Sequence, residues 1–232
     1  MAWWKKLLEP EETVGGAWHD LVGDVTTCPR FPEAAVRLEE VAEPLGFVFR
    51  ALGGERGITI RPASVTVSHH RRRLRHRLGA EAEAFLRPQI DGDSLFLPPV
   101  IDVSPDAKAN RDLYLWLVGW AAAAERVDPP HPDDPLTADL AGLQRALRAT
   151  ERAISCNPGL GPIYRELCRH TLATRPRRTL PEVEAALEAC ILELLGGPPA
   201  RLVLSEGMMA SVRGHPPVSA NWRAPKGYRR HL

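Results

Sequence analysis

The 232-residue chain lacks most of the features that announce a chemistry. Its four cysteines, Cys28, Cys156, Cys168 and Cys190, are widely spaced and form no CxxC pair, which removes zinc knuckles and thioredoxin-type motifs. Reduced thiols in a cytoplasmic protein are the simplest reading. Aromatics are scarce, at 6% of residues, and none interleaves the one dense basic run, so a stacking platform for single-stranded nucleic acid is unsupported. An excess of charge of either sign is lacking too: 30 Lys and Arg against 29 Asp and Glu leave +1, which argues for no class of partner in bulk. There is no GxxxxGK[ST], no strand-borne GxGxxG, no HExxH and no GxSxG. The opening MAWWKKLLEPEE has no apolar core region and no cleavage site, so no secretion signal is expected. No internal repeat is visible.

What is present is organised around residues 95–126, LFLPPVIDVSPDAKANRDLYLWLVGWAAAAER. Ser104 is placed to cap a helix, with Pro105 at its first position and Asp106 in its first turn. Leu113, Trp116, Leu117, Trp120 and Ala124 follow the i, i+3, i+4, i+7 rule, while Tyr114, Leu115 and Val118 make the opposite side apolar. A helix apolar nearly all round is either a buried central helix or a membrane span. The polar residues Asn110, Arg111, Asp112, Glu125 and Arg126 bracket a run well short of the roughly 20 residues a span needs. The segment is therefore predicted to be the core helix of a non-membrane domain.

The rest of the chain reads as helices with two interruptions of period two. Residues 9–25 look helical, with Trp18 on the inner face. Residues 32–52 form a strong amphipathic pattern through Ala35, Leu38, Val41, Leu45, Val48, Phe49 and Leu52, in which Pro44 should kink or split the helix and Gly53-Gly54 should end it. GITIRP and SVTVS predict a hairpin near residues 57–68; FLRPQI and SLFLP around Asp91-Gly92-Asp93 predict a second near 86–97. After a proline-rich connector, helices are expected over 137–154 and 162–172, and from a Thr179/Glu182 capping box to Gly196-Gly197. ARLVLSEG reads as strand or loop. The fold class is thus mainly α, a helical domain over residues 1–197 with small antiparallel hairpins, and residues 198–232 are expected to be an extended Pro/Arg-rich tail or linker.

No catalytic constellation emerges. Asp102, Ser104 and Asp106 in IDVSPD resemble the start of a DxSxS metal motif, but the fifth position is Asp106 and no downstream ligands are recognisable, so a helix cap is favoured over a metal site. Gly53–Gly57 fits a hairpin approach better than a phosphate cradle. Cys168 and His170 read as packing. An enzyme assembled from scattered residues such as Asp102, His69 and Glu55 has only the placement of polar residues at the ends of apolar runs in its favour. The basic run holding His69, His70, Arg71, Arg72, Arg73, Arg75, His76 and Arg77 is read first as a solvated face. An acidic protein surface is its second reading and nucleic acid its third. Trp3 and Trp4 with Leu7 and Leu8 suggest a short amphipathic turn docked on a protein body. The residues alone describe a helical binding or scaffold domain. Its core is built on Trp18, Leu38, Phe49, Leu113, Trp116, Leu117 and Trp120.

Four phrases carry a resemblance: AWHDLV (17–22), FPEAAVRLEEV (31–41), FRALGG (49–54) and LFLPPVIDVSPDAKANRDLYLWLVGWAA (95–122). In order and spacing they resemble the N-terminal region of the NorD/CbbO family, whose members are larger and end in a von Willebrand factor A domain. The tail APKGYR (224–229) resembles the approach to the linker before that domain. The resemblance implies a non-enzymatic adaptor without a cofactor or metal of its own, acting with a hexameric MoxR-type AAA+ ATPase. The client enzyme would be met mainly through the von Willebrand domain. NorD-type members imply activation of nitric oxide reductase, and the wording of AWHDLV and PEAAVRLEEV leans that way. CbbO-type members imply a Rubisco activase complex, which is the alternative. A nucleic-acid-binding protein acting through Arg71–Arg77 is the alternative from another class. On the adaptor reading, Trp3, Trp4 and the His69–Arg77 run are the candidate partner-binding residues.

Overall fold

The computed structural model describes residues 30–63, 89–124, 132–175, 179–214, 218 and 222–228. Among these the fold is mainly α, with six α-helices and two small sheets. The chain enters through a 3-10 turn, Pro32–Ala34, and a two-residue strand β1, Val36–Arg37. Helix α1 follows at Leu38–Ala51. Strands β2 (Thr59–Pro62), β3 (Gln89–Asp91), β4 (Ser94–Leu97) and β5 (Val100–Ile101) precede the central helix α2, Ala107–Ala123. Four more helices complete the body: α3 (Pro135–Cys156), α4 (Leu160–Thr174), α5 (Glu182–Leu194) and α6 (Val203–Arg213).

Helix α1 forms because Leu38, Val41, Leu45 and Phe49 recur at helical spacing and bury one stripe. Glu39 and Glu40 in its first turn and Arg50 in its last complement the helix dipole. Pro44 neither splits it nor ends it: the helix is continuous from residue 38 to 51. The expected start at residue 32 gives way to the 3-10 turn and β1, whose Val36 and Arg37 pair antiparallel with Ile101 and Val100. The C-terminus is a Schellman close. The Gly54 N–H donates to the Phe49 carbonyl at 2.8 Å and the Gly53 N–H to Arg50 at 3.2 Å, with Gly53 at φ +97°. A side chain at Gly54 would put its Cβ 2.4 Å from the Phe49 ring, so the close admits only glycine there.

The turn at Asp91-Gly92-Asp93 forms as expected, and β3 pairs antiparallel with β4. The second arm of the other predicted hairpin lies outside the described residues. Its first arm, β2, pairs parallel with β4, Thr59 against Ser94 through Pro62 against Leu97. Proline is tolerated in β2 because β4 is the central strand of the three and β2 flanks it.

Helix α2 is the hub. It touches α1, β1, β5, α3 and α4, and α3 carries the contact on to α5 and α6. Leu113, Trp116, Leu117 and Trp120 are all buried, as are Leu38 and Phe49 on α1. Each fully buried large apolar side chain contributes about 1.5–3 kcal/mol of transfer free energy, so this cluster holds the layers together. Trp18 lies outside the described residues.

Three local expectations are corrected. The cap of α2 is Asp106, whose carboxylate accepts from the Lys108 N–H at 2.8 Å, and the helix starts at Ala107; Ser104 and Pro105 precede it. Helix α5 starts after Pro181 without a side-chain cap, so the Thr179/Glu182 box does not form. ARLVLSEG is neither strand nor loop: from Val203 it is the first half of α6, which packs on α5 and α3 through buried Met208, Met209 and Val212. Residues 222–228 also lie against the body. Tyr228 Oη donates to Asp139 at 2.7 Å, Trp222 Nε1 to Ser211 Oγ at 3.0 Å, and the Ala224 N–H to Asp134 at 3.0 Å.

Candidate functional site

The IDVSPD segment is the natural place to look, since it leads from β5 into the hub helix. Its polar side chains are engaged in holding that junction. Asn110 is fully buried one turn into α2. Its Nδ2 donates to the Ala34 carbonyl at 2.8 Å and to the Ser104 carbonyl at 2.9 Å, while its Oδ1 accepts from the Ser104 N–H at 2.9 Å. One side chain thus ties the 3-10 turn, the 102–106 loop and α2. Ser104 Oγ accepts from the Asp106 N–H at 3.2 Å, which turns the chain so that Asp106 can cap. Asp102 pairs with Arg30, and its carbonyl accepts from the Phe31 N–H at 2.8 Å. Tyr114 Oη donates to the Pro98 carbonyl at 2.7 Å, with its own pKa pushed well above the ordinary value by burial and then by the charge of Glu40.

Beside this junction a cleft of about 230 Å³ opens between the start of α2 and α4, lined on one side by Pro105, Asp106, Ala109 and Asp112. Ile163, Glu166, Leu167, Arg169 and His170 line the other. Its charges are paired along their own helices. Lys108 donates to Asp112 at 2.5 Å, and that hydrogen bond, together with the Asp112 charge, raises the lysine pKa. Glu166 is held below the ordinary carboxylate range by the hydrogen bond from Arg169. The His170 ring nitrogen Nε2 lies 3.2 Å from the Val103 carbonyl, which fixes α4 to the loop. No cluster of three His, Cys, Asp or Glu side chains able to hold a metal occurs among the described residues. Asp102 serves in an ion pair, Ser104 in the turn and Asp106 in the cap. His69 lies outside the described residues, and Glu55 is exposed at the end of the α1 loop.

The described surface has two exposed apolar spots. Phe47 on α1 is 61% exposed, and Leu202 and Val203 at the start of α6 are 55% and 88% exposed. Phe47 stands among Glu40, Glu43 and Pro44 on the outer face of α1, all exposed, with the Arg50 guanidinium 4.9 Å from its ring centroid. Sequence reasoning took Asn110 only as a polar boundary of the apolar run and did not name Phe47. The signal for Phe47 was its position off the apolar stripe; for Asn110 it was a lone amide at the head of an all-apolar helix. The candidates Trp3, Trp4, His69, His70, Arg71, Arg72, Arg73, Arg75 and Arg77 all lie outside the described residues. No described helix is long and apolar enough to cross a membrane.

Comparison with known proteins turns up no matching family model and no matching solved structure. It does find curated relatives. The chain is 44% identical over 188 residues to Protein NorD of Brucella abortus (strain 2308), covering 81% of this chain and 30% of that protein. It is 32% identical over 192 residues to Protein NorD of Stutzerimonas stutzeri, covering 82% of this chain and 29% of that protein. An uncharacterized protein of Pseudomonas aeruginosa is 33% identical over 192 residues, with 82% and 29% covered. The chain spans about 30% of the length of the relatives it matches.

Proposed function

The chain belongs to the NorD family, and on that premise we propose that it is a non-catalytic adaptor module acting in the activation of nitric oxide reductase. The observation that carries the reading is the 44% identity to Protein NorD sustained over 188 residues. Its mechanical partner is a hexameric MoxR-type AAA+ ATPase, onto which this domain docks while the client is engaged elsewhere in the assembly. The physical requirements of such a part are a body that transmits force without deforming and a surface that remains to be covered. A single hydrophobic cluster running from α1 to α6 supports the first, and Asn110 pins its entry to three backbone groups. The outer face of α1 supports the second. The polar groups of the α2–α4 cleft are ion-paired or capping, which favours a structural use of that cleft over a reaction site.

The test is size exclusion with light scattering of this chain mixed with its cognate MoxR-type ATPase in the presence of ATP. A stable co-complex with the hexamer is expected. Two separate peaks with and without nucleotide would remove ring docking from this domain.

A further inference from the structure

Phe47 is the one exposed aromatic ring among the described residues, and its surroundings are chemically specific. Glu40, Glu43, Pro44 and Phe47 sit at i, i+3, i+4 and i+7, so they form one stripe along α1. Glu39 extends the acidic end, and it too is exposed. Glu39 and Glu43 are i, i+4 and Glu40 and Glu43 are i, i+3, spacings at which like charges oppose helix formation. Pro44 has no N–H, so the Glu40 carbonyl four residues earlier lacks its helical donor. The carboxylates favour the helix only through its dipole, and neither their mutual repulsion nor the missing Pro44 N–H helps the fold. The opposite stripe, Leu38, Val41, Leu45 and Phe49, makes the packing contacts.

We propose that this outer face of α1 is a docking surface for a basic protein segment. That segment lays an apolar side chain on Phe47 and sets Lys or Arg heads against Glu39, Glu40 and Glu43, with a donor for the Glu40 carbonyl. Charge decides the occupant. A second copy of the face would bring like carboxylates together, and an acidic protein or a nucleic acid would meet the same repulsion. A purely apolar partner would desolvate the carboxylates without pairing them. In the division usual at interfaces, the aromatic anchor governs dwell time and the rim charges govern encounter rate and salt dependence. This is the face that the adaptor reading leaves to be covered, but the proposal rests on the chemistry of the face and the peptide titration tests it whatever the ring assay returns.

The experiment maps backbone amide shifts of the whole chain on titration with a synthetic amphipathic helix of leucine and lysine. The same helix with glutamate for lysine is the control. Shifts confined to residues 39–51 are expected, with no response to the glutamate peptide. Phe47→Ser should weaken binding by about tenfold, as loss of a central anchor does. Glu40→Gln with Glu43→Gln should weaken it and flatten its salt dependence. Because all three side chains are exposed, an unchanged melting temperature certifies the fold of each variant. Shifts centred elsewhere, no binding, equal binding of the glutamate peptide, or Phe47→Ser binding like the parent would each overturn the proposal. So would a concentration-dependent dimer that Phe47→Ser abolishes, since the occupant would then be a second copy.

Discussion

Helices α1 and α2 are neighbours of similar length, 14 and 17 residues, and they use their surfaces in opposite ways. Helix α2 buries nine residues, distributed all round its axis and including the polar Asn110 and the backbone-close Gly119. Helix α1 buries four, along one stripe, and leaves a face that mixes carboxylates with an exposed ring. From Leu113 onward α2 is covered on every side, and that stretch can only be structural, because any partner would have to displace the protein itself. A helix covered on one side has a second surface on which selection can act without disturbing the core. Changes in α2 should therefore remove stability and binding together, whereas changes on the outer face of α1 should remove binding alone.

The largest effect should come from Trp120→Ala in the middle of α2, where the side chain is 2% exposed. Truncating a buried tryptophan leaves a cavity in a close-packed interior and costs about 4 kcal/mol. Urea unfolding should show a lower midpoint with an unchanged slope. A loss under about 1 kcal/mol would mean that α2 is not the packed hub. Asn110→Ala comes next. It would strand the Ala34 and Ser104 carbonyls and the Ser104 N–H in a buried site, at about 3 kcal/mol in total if neighbours or water recover part of the loss. Asn110→Asp should be no better, because a carboxylate would face two carbonyl oxygens it cannot donate to. If either variant unfolds like the parent, the junction is held by packing and not by the amide.

Helix α2 was legible in the sequence because from Leu113 onward its burial is all-round, so any reading of 113–121 returns apolar neighbours. Helix α6 was not. Ser205, Gly207 and Ser211 dilute its period, Pro198-Pro199 precede it, and its apolar residues find meaning only once α5 and α3 are there to receive Met208, Met209 and Val212. The parallel pairing of β2 with β4 was not legible for a related reason. Alternation identifies β2 as a strand but not its partner, and β4 lies over 30 residues away in the chain. The cap of α2 moved by two residues because Ser104, a good cap by type, is drawn inward by Asn110 and leaves the role to Asp106. Residues 222–228 read as tail because nothing local shows that Asp134 and Asp139 will receive the Ala224 N–H and the Tyr228 hydroxyl. In the site, Asn110 looked like the polar boundary of an apolar run, when it is the run's internal anchor.

Alkaline unfolding probes how well α2 is covered. Cys168 lies on α4, which packs on α2, and the adjacent Tyr164 ring is 4.6 Å from Trp116. Burial pushes the Cys168 thiol up to about 11 from an ordinary 9.0. The raised value means the native state favours the neutral thiol. That contribution is intact below the unfolded value, near pH 9, and is lost as pH climbs toward 11, where the unfolded chain is already ionised. About 2 kcal/mol should disappear across that window, Cys190 adding a similar term because burial raises it likewise to about 11. Urea midpoints at roughly pH 8 and pH 10.5 measure it, and Cys168→Ala should reduce the fall. Equal falls in parent and variant would mean that water reaches α4 and that α2 is less enclosed than its burial indicates.

The smallest effect on stability is the most informative. Phe47→Ser exchanges an exposed ring for an exposed hydroxyl at a solvent-facing helix position, where substitutions usually fall within about 0.5 kcal/mol. Among the described residues the ring meets the Arg50 guanidinium, at 4.9 Å, and an exposed cation–π contact contributes about 0.5 kcal/mol, so even its complete loss stays inside that range. Serine also has a slightly lower helix propensity than the straight-chain residues, though not one that separates it from phenylalanine. An unchanged urea midpoint beside lost peptide binding would divide α1 cleanly into a face that folds and a face that docks. A midpoint lowered by more than about 1 kcal/mol would instead mean that the ring is covered in solution by another part of this chain, and the contrast between the two helices would narrow to one of degree.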